Sequence, residues 1–128
     1  ESELARIKLQ QRLVVYKENK RKAEAQAIDY TPDLQAIDNE FAALRAELIQ
    51  KFTHAEDYED YEAINAVFDH RFCWLVRDIT DFKEKVNGRK LKSTQEAQET
   101  INSIKAKIAR LRNKLNAAAP DPSDDFEL

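Results

Sequence analysis

The chain reads as an all-α protein of elongated antiparallel helical hairpins, packed as a four-helix bundle or in coiled-coil-like fashion. Three observations carry this. Among 128 residues there are one glycine and three prolines, too few turn residues for a β-rich fold of this size. Charged residues make up 35%, above the usual quarter or so, as in elongated helical chains. Apolar residues recur at spacings of three and four along four segments, the period of a helix face. With 42% apolar residues, the chain is long enough for a single helical domain over residues 1–116.

The first helix is expected over about residues 2–29. Leu4, Ile7 and Val14 form one stripe, and Leu9, Leu13 and Tyr16 a second, so its first half has two apolar sides. Residues 17–24 are charged almost all round. Thr31-Pro32-Asp33 reads as a helix start, with Thr31 as cap, Pro32 where no N–H is needed and Asp33 at the positive helix end. The second helix, about 33–52, places Leu34, Ile37, Phe41, Leu44 and Leu48 on a coiled-coil seam. Thr53 and Glu56 match a capping box, opening a third helix over 54–86 or a bend in one continuous rod. Tyr61, Ile64, Phe68, Phe72, Leu75, Ile79, Phe82 and Val86 line its apolar side, and Asn87-Gly88 is expected to end it with a left-handed glycine. Ser93 and Glu96 form a second capping box, followed over 94–116 by Ala97, Ile101, Ile104, Ile108, Leu111 and Leu115 in a regular 4-3 alternation. Residues 117–128, with two prolines and four acids, read as a disordered acidic tail.

Charge falls in blocks. Residues 1–28 carry 7 bases and 4 acids, 29–86 carry 6 and 14, 87–116 carry 8 and 2, and 117–128 carry 0 and 4. In the fourth helix the positions flanking the seam are Lys105, Lys107, Arg112 and Lys114, so a parallel self-pair would set like charges together. That helix therefore calls for an acidic neighbour. Hairpin folding supplies one by bringing the acidic start of the third helix beside its basic end. A first hairpin would similarly bring Lys17–Lys22 beside Asp38–Glu47. The two-sided apolar surface of the first helix favours a further contact, as in a homo-oligomer.

Cys73 is the only cysteine, which excludes an intrachain disulfide, and no apolar run approaches the length of a membrane span. No signal peptide is visible, and a chain lacking Met and starting at Glu1 reads as trimmed. His70 and Cys73 lie one turn apart beside Asp69, but neither a second cysteine nor a nearby second histidine completes a metal site. Cys73 lies mid-helix beside Trp74 and reads as a buried, inert thiol rather than a nucleophile. One glycine rules out a Gly-rich phosphate loop, so neither catalytic nor metal residues are assigned and no cofactor is expected.

Three surfaces remain as candidates for contact. Arg89, Lys90, Lys92, Lys105, Lys107, Arg110, Arg112 and Lys114 form a basic set that would suit a protein partner or nucleic-acid phosphates, although no aromatic residue interleaves with it. Glu56, Asp57, Glu59, Asp60 and Glu62, with tyrosines between, would suit a basic partner, or would simply favour the helix start. Asp124, Asp125, Phe126, Glu127 and Leu128 could dock in a partner's groove, solubilise the chain, or lie on its own basic patch. The expectation is a non-enzymatic helical interaction module, an adaptor, scaffold or assembly factor, intracellular and pairing with another protein and with itself. The alternatives are a nucleic-acid-associated protein whose acidic tail competes internally, and an acidic inhibitor mimicking nucleic acid.

Overall fold

A computed structural model describes residues 2–118, and the residues beyond 118, including most of the expected tail, lie outside the described part. Four helices account for nearly all of it: α1 (Ser2–Ala27), α2 (Thr31–Thr53), α3 (Tyr58–Asn87) and α4 (Thr94–Ala118), with no strand among the described residues. Helices α2, α3 and α4 each pack on the other two and form a bundle.

The seams read from sequence are its core. Ala97, Ile101, Ile104, Ile108, Leu111 and Leu115 of α4 are all buried. Ile37 and Leu44 of α2 are fully enclosed, and Leu34, Phe41 and Leu48 pack around them. From α3 come Ile64, Val67, Phe68, Leu75, Ile79 and Phe82, with Phe72 stacked on Phe41 at 5.0 Å between ring centres. Each buried Leu, Ile or Phe contributes about 1.5–3 kcal/mol by leaving water, so these seams dominate the stability.

Cross-helix ion pairs give the orientation. Lys83 of α3 meets Asp38 of α2 at 2.8 Å, Lys85 meets Glu96 of α4 at 3.1 Å, and Lys107 of α4 pairs with Asp78. Arg112 of α4 meets Glu47 of α2 at 3.1 Å and donates to the Glu40 carbonyl at 3.3 Å. Thus α3 runs antiparallel to α2 and α4. The acidic α2 is served by α3 and α4.

That arrangement leaves α1 without the hairpin the charge blocks suggested. Residues 17–22 make no ion pair with α2 among the described residues, because Asp38 and Glu47 are already engaged. Helix α1 instead touches α4, through its last turns. Ala25 is buried, the Gln26 amide donates to the Leu91 carbonyl at 2.6 Å, and Tyr30 buries its ring edge-on to Phe82. Every residue from 2 to 24 is exposed. The bundle proper therefore has three full-length members and a fourth helix fastened at one end.

The helix boundaries show which side chains act as caps. Thr31 is already helical, and its N–H donates to Asp29 Oδ1 at 3.0 Å. These bonds from Thr31 hold the Asp29 carboxyl below its ordinary pKa. Thr53 closes α2 with its hydroxyl on the Ile49 carbonyl, so it does not cap α3. The cap of α3 is Asp57, which accepts from the Asp60 N–H at 3.0 Å while Asp60 accepts from the Glu56 N–H at 3.1 Å. The cap thus sits four residues later than Thr53 and Glu56 suggested, and the returning bond falls on the N–H of Glu56, just ahead of the cap, rather than on that of Asp57. Ser93 does cap α4, accepting from the Glu96 N–H at 3.1 Å. Glu96 in turn accepts from the Lys92 N–H at 2.8 Å, and that bond, aided by Lys85, holds its carboxyl below the usual range.

Candidate interaction surfaces

Helix α1 is the first. Leu4, Ile7, Leu9, Leu13, Val14, Val15 and Tyr16 are each between 48% and 63% exposed. Both stripes that the sequence predicted are uncovered, and Arg6, Lys8, Arg12 and the 17–22 segment give the helix a basic surround. At about 1.5 Å per residue, the exposed stretch is a rod of roughly 35 Å.

The second surface lies between α3 and α4. A groove of about 650 Å³ opens there, with Leu75 and Leu111 behind it and Trp74, itself 58% exposed, along one side. Arg71 and Arg110 reach its edge and have no ion-pair partner among the described residues, whereas Lys107 is held by Asp78. Asp69 brings a carboxylate to the same groove, 3.7 Å from His70 Nε2. Trp74 also carries the Arg77 guanidinium over its ring at 5.3 Å.

The basic residues singled out from sequence do not share one face. Arg89, Lys90 and Lys92 lie exposed in the α3–α4 turn, Lys105 is half-buried on α4, and Arg112 faces α2. Only Arg110, Lys107 and Lys114 converge, at the groove. In the acidic set, Glu56, Asp57, Glu59 and Glu62 are exposed and Asp60 is half-buried. Asp57 and Asp60 have structural work there, since they close the helix start. The tail residues Asp124, Asp125, Phe126, Glu127 and Leu128 lie outside the described residues.

Cys73 departs from expectation. It is exposed, because Phe72 and Leu75 turn inward and leave 73 and 74 on the outer face. Sequence reasoning read Cys73 as buried beside Trp74 and so missed both the exposed thiol and the aromatic wall of the groove. The three-four register read through Phe68, Phe72, Leu75 and Ile79 leaves 73 and 74 off that stripe, but it does not say whether a neighbour covers the other side. Among the described residues no group of three His, Cys, Asp or Glu side chains is placed to hold a metal ion.

What fold and surfaces define together is an α-helical bundle with an uncovered basic helix carrying two apolar stripes at one end and a cationic, aromatic groove on its flank. No family model matches the chain, and no curated protein or solved structure matches it. No helix among the described residues is long and apolar enough to cross a membrane.

Proposed function

We propose that this protein is a non-enzymatic interaction module, an intracellular adaptor, scaffold or assembly factor, in which the α2–α4 bundle is the platform and α1 is the helix that engages a partner. The observation that supports this reading is the exposure of seven large apolar side chains on residues 4–16. Covering such a side chain fully is worth about 1.5–3 kcal/mol, and a helix this uncovered gains little from its own bundle. Apolar anchors on a helix suit helix-in-groove or coiled-coil recognition, and the surrounding bases favour an acidic partner surface. A second copy of the chain belongs among the partners, because two opposed stripes call for more than one neighbour.

The test is a pair of measurements on one variant. Leu13→Asp is expected to leave the circular dichroism of the bundle nearly intact while abolishing the concentration-dependent rise in light-scattering mass and the capture of host proteins. Wild-type chain that stays monomeric at all concentrations and captures nothing that Leu13→Asp fails to capture would overturn the reading. The nucleic-acid alternative draws less support. Lys107 and Arg112 are committed to Asp78 and Glu47, and of the rest only Arg110 and Lys114 share the groove, with Arg89, Lys90 and Lys92 in the α3–α4 turn and Lys105 apart on α4.

A further inference from the structure

The groove between α3 and α4 has a chemistry of its own, independent of what α1 does. Its floor is apolar, with Leu75 and Leu111 beneath the exposed indole of Trp74. Arg71 and Arg110 bring two guanidinium groups to its edge, neither of them in an ion pair among the described residues. The ligand that such a site recognises is an anionic peptide carrying an aromatic or aliphatic anchor. Carboxylates would take the guanidinium forks, and the anchor would lie on the indole.

The chain encodes such a peptide just beyond the groove. Residues 119–128 contain four acids and no base, with Phe126 and Leu128 set among the carboxylates of Asp124, Asp125 and Glu127. They follow directly from α4, whose last helical residue is Ala118. Along the helix axis, Leu111 and Arg110 lie only about 10–12 Å back from that point, at roughly 1.5 Å per residue. The stretch from Ala118 to Phe126 spans up to about 26 Å, at roughly 3.3 Å for each extended residue, so it reaches the groove with slack. Pro120 and Pro122 lower the chain entropy that docking must overcome.

We infer that the groove is the docking site of the chain's own acidic segment, residues 119–128, with Phe126 against Trp74 and Leu111, and Asp124 and Asp125 facing Arg71 and Arg110. A tether of so few residues gives an effective concentration on the order of millimolar, so contacts that would be weak between separate molecules are populated here. Asp69 opposes the tail's charge from one side of the groove, with His70 Nε2 3.7 Å from its carboxylate. The docked segment covers a cationic, apolar groove that an acidic partner peptide would otherwise occupy.

Trp74 is the only tryptophan in the chain, so its fluorescence reports on the groove alone. The experiment is acrylamide quenching of the 128-residue chain at low and high salt, beside its variants Phe126→Ala and Asp124→Asn/Asp125→Asn, and the groove variant Arg110→Ala. Quenching is expected to be weakest in wild type at low salt, and about twofold stronger in each variant and at 0.5–1 M salt, where the Debye length falls to a few ångström. The tail variants lie outside the bundle, so a change there is not a folding effect. Equal quenching in all four proteins overturns the inference. So does a difference that disappears on dilution, which would assign the groove to the tail of a second copy.

Discussion

At the scale of single residues, the turn after α3 holds the clearest local conflict. Arg89 sits at φ 55°, the left-handed region that L side chains enter at a cost. It stays there because its neighbours bond around it: the Arg89 N–H reaches the Val86 carbonyl and the Lys90 N–H the Lys85 carbonyl, the pattern that ends a helix. Gly88 is at φ −83°, so its role is space, since a Cβ there would stand 3.0 Å from the Glu84 carbonyl oxygen. Arg89→Gly relieves a left-handed penalty of about 1–2 kcal/mol while adding some entropy to the unfolded chain. The expected outcome is a gain of about 0.5–1 kcal/mol in urea unfolding, and a lower midpoint would contradict the assignment. Tyr30 is a second such residue. Its ring is buried against Phe82, and its hydroxyl has no partner among the described residues. Burial, with Asp33 adding to it, pushes the phenol above its ordinary pKa of 10.0. The folded state thus holds this proton more tightly than the unfolded chain. The stability this represents is complete below the unfolded value and is lost as pH rises through the folded one. Tyr30→Phe should be neutral, or stabilising by up to about 1 kcal/mol, at pH 7. It should also flatten the fall in Tm above about pH 9.5, which melting curves across that range would measure.

At the scale of elements, α1 and α4 pose the same question and receive opposite answers. Both carry apolar stripes at helical spacing, but Leu111 is 3% exposed and Leu13 51%. Leu111→Asp places an unpaired carboxylate among Ile108, Leu115 and the α3 core, so a loss of about 3 kcal/mol or more is expected, with helicity falling in circular dichroism. Leu13→Asp should leave that signal almost unchanged, and equal losses in the two variants would mean that α1 is as well packed as α4. The contrast also marks what sequence alone can tell. The α4 seam was legible in full, because a 4-3 alternation is a local property that holds whatever covers it. The same is true of Ile37 and Leu44, and of the Ser93 cap. Which neighbour covers a stripe is not local. It depended on Asp38 and Glu47 finding Lys83 and Arg112, and no periodicity in α1 reveals that its acidic counterpart is already taken. The α3 cap moved to Asp57 for a comparable reason, since the Thr53 hydroxyl bonds back to Ile49 and prolongs α2. Of the groove, Arg110, Lys107 and Lys114 were legible as a basic set. Trp74 was not, because its outward direction follows from the register of Phe72 and Leu75 within the bundle.

At the scale of the whole molecule, these contacts divide the chain into two regimes of stability. Helices α2–α4 share one core, so their amides exchange only when that core opens. Helix α1 is joined to it by Ala25, the Gln26–Leu91 bond and the adjacent Tyr30, and from residue 24 towards the N-terminus nothing among the described residues covers it. A single helix of this length is marginal in water, and the β-branched pair Val14-Val15 lowers its propensity further. In dilute solution, hydrogen exchange should therefore show residues 5–22 protected by no more than about tenfold, against roughly a thousandfold or more for Ile101, Ile104 and Ile108. If α1 earns its helicity by engaging a partner, protection of residues 5–22 should climb with protein concentration or with bound partner while that of α4 stays level. Protection of α1 equal to that of α4 at the lowest concentration would instead require the helix to fold back on its own bundle, and the division into platform and docking helix would not stand.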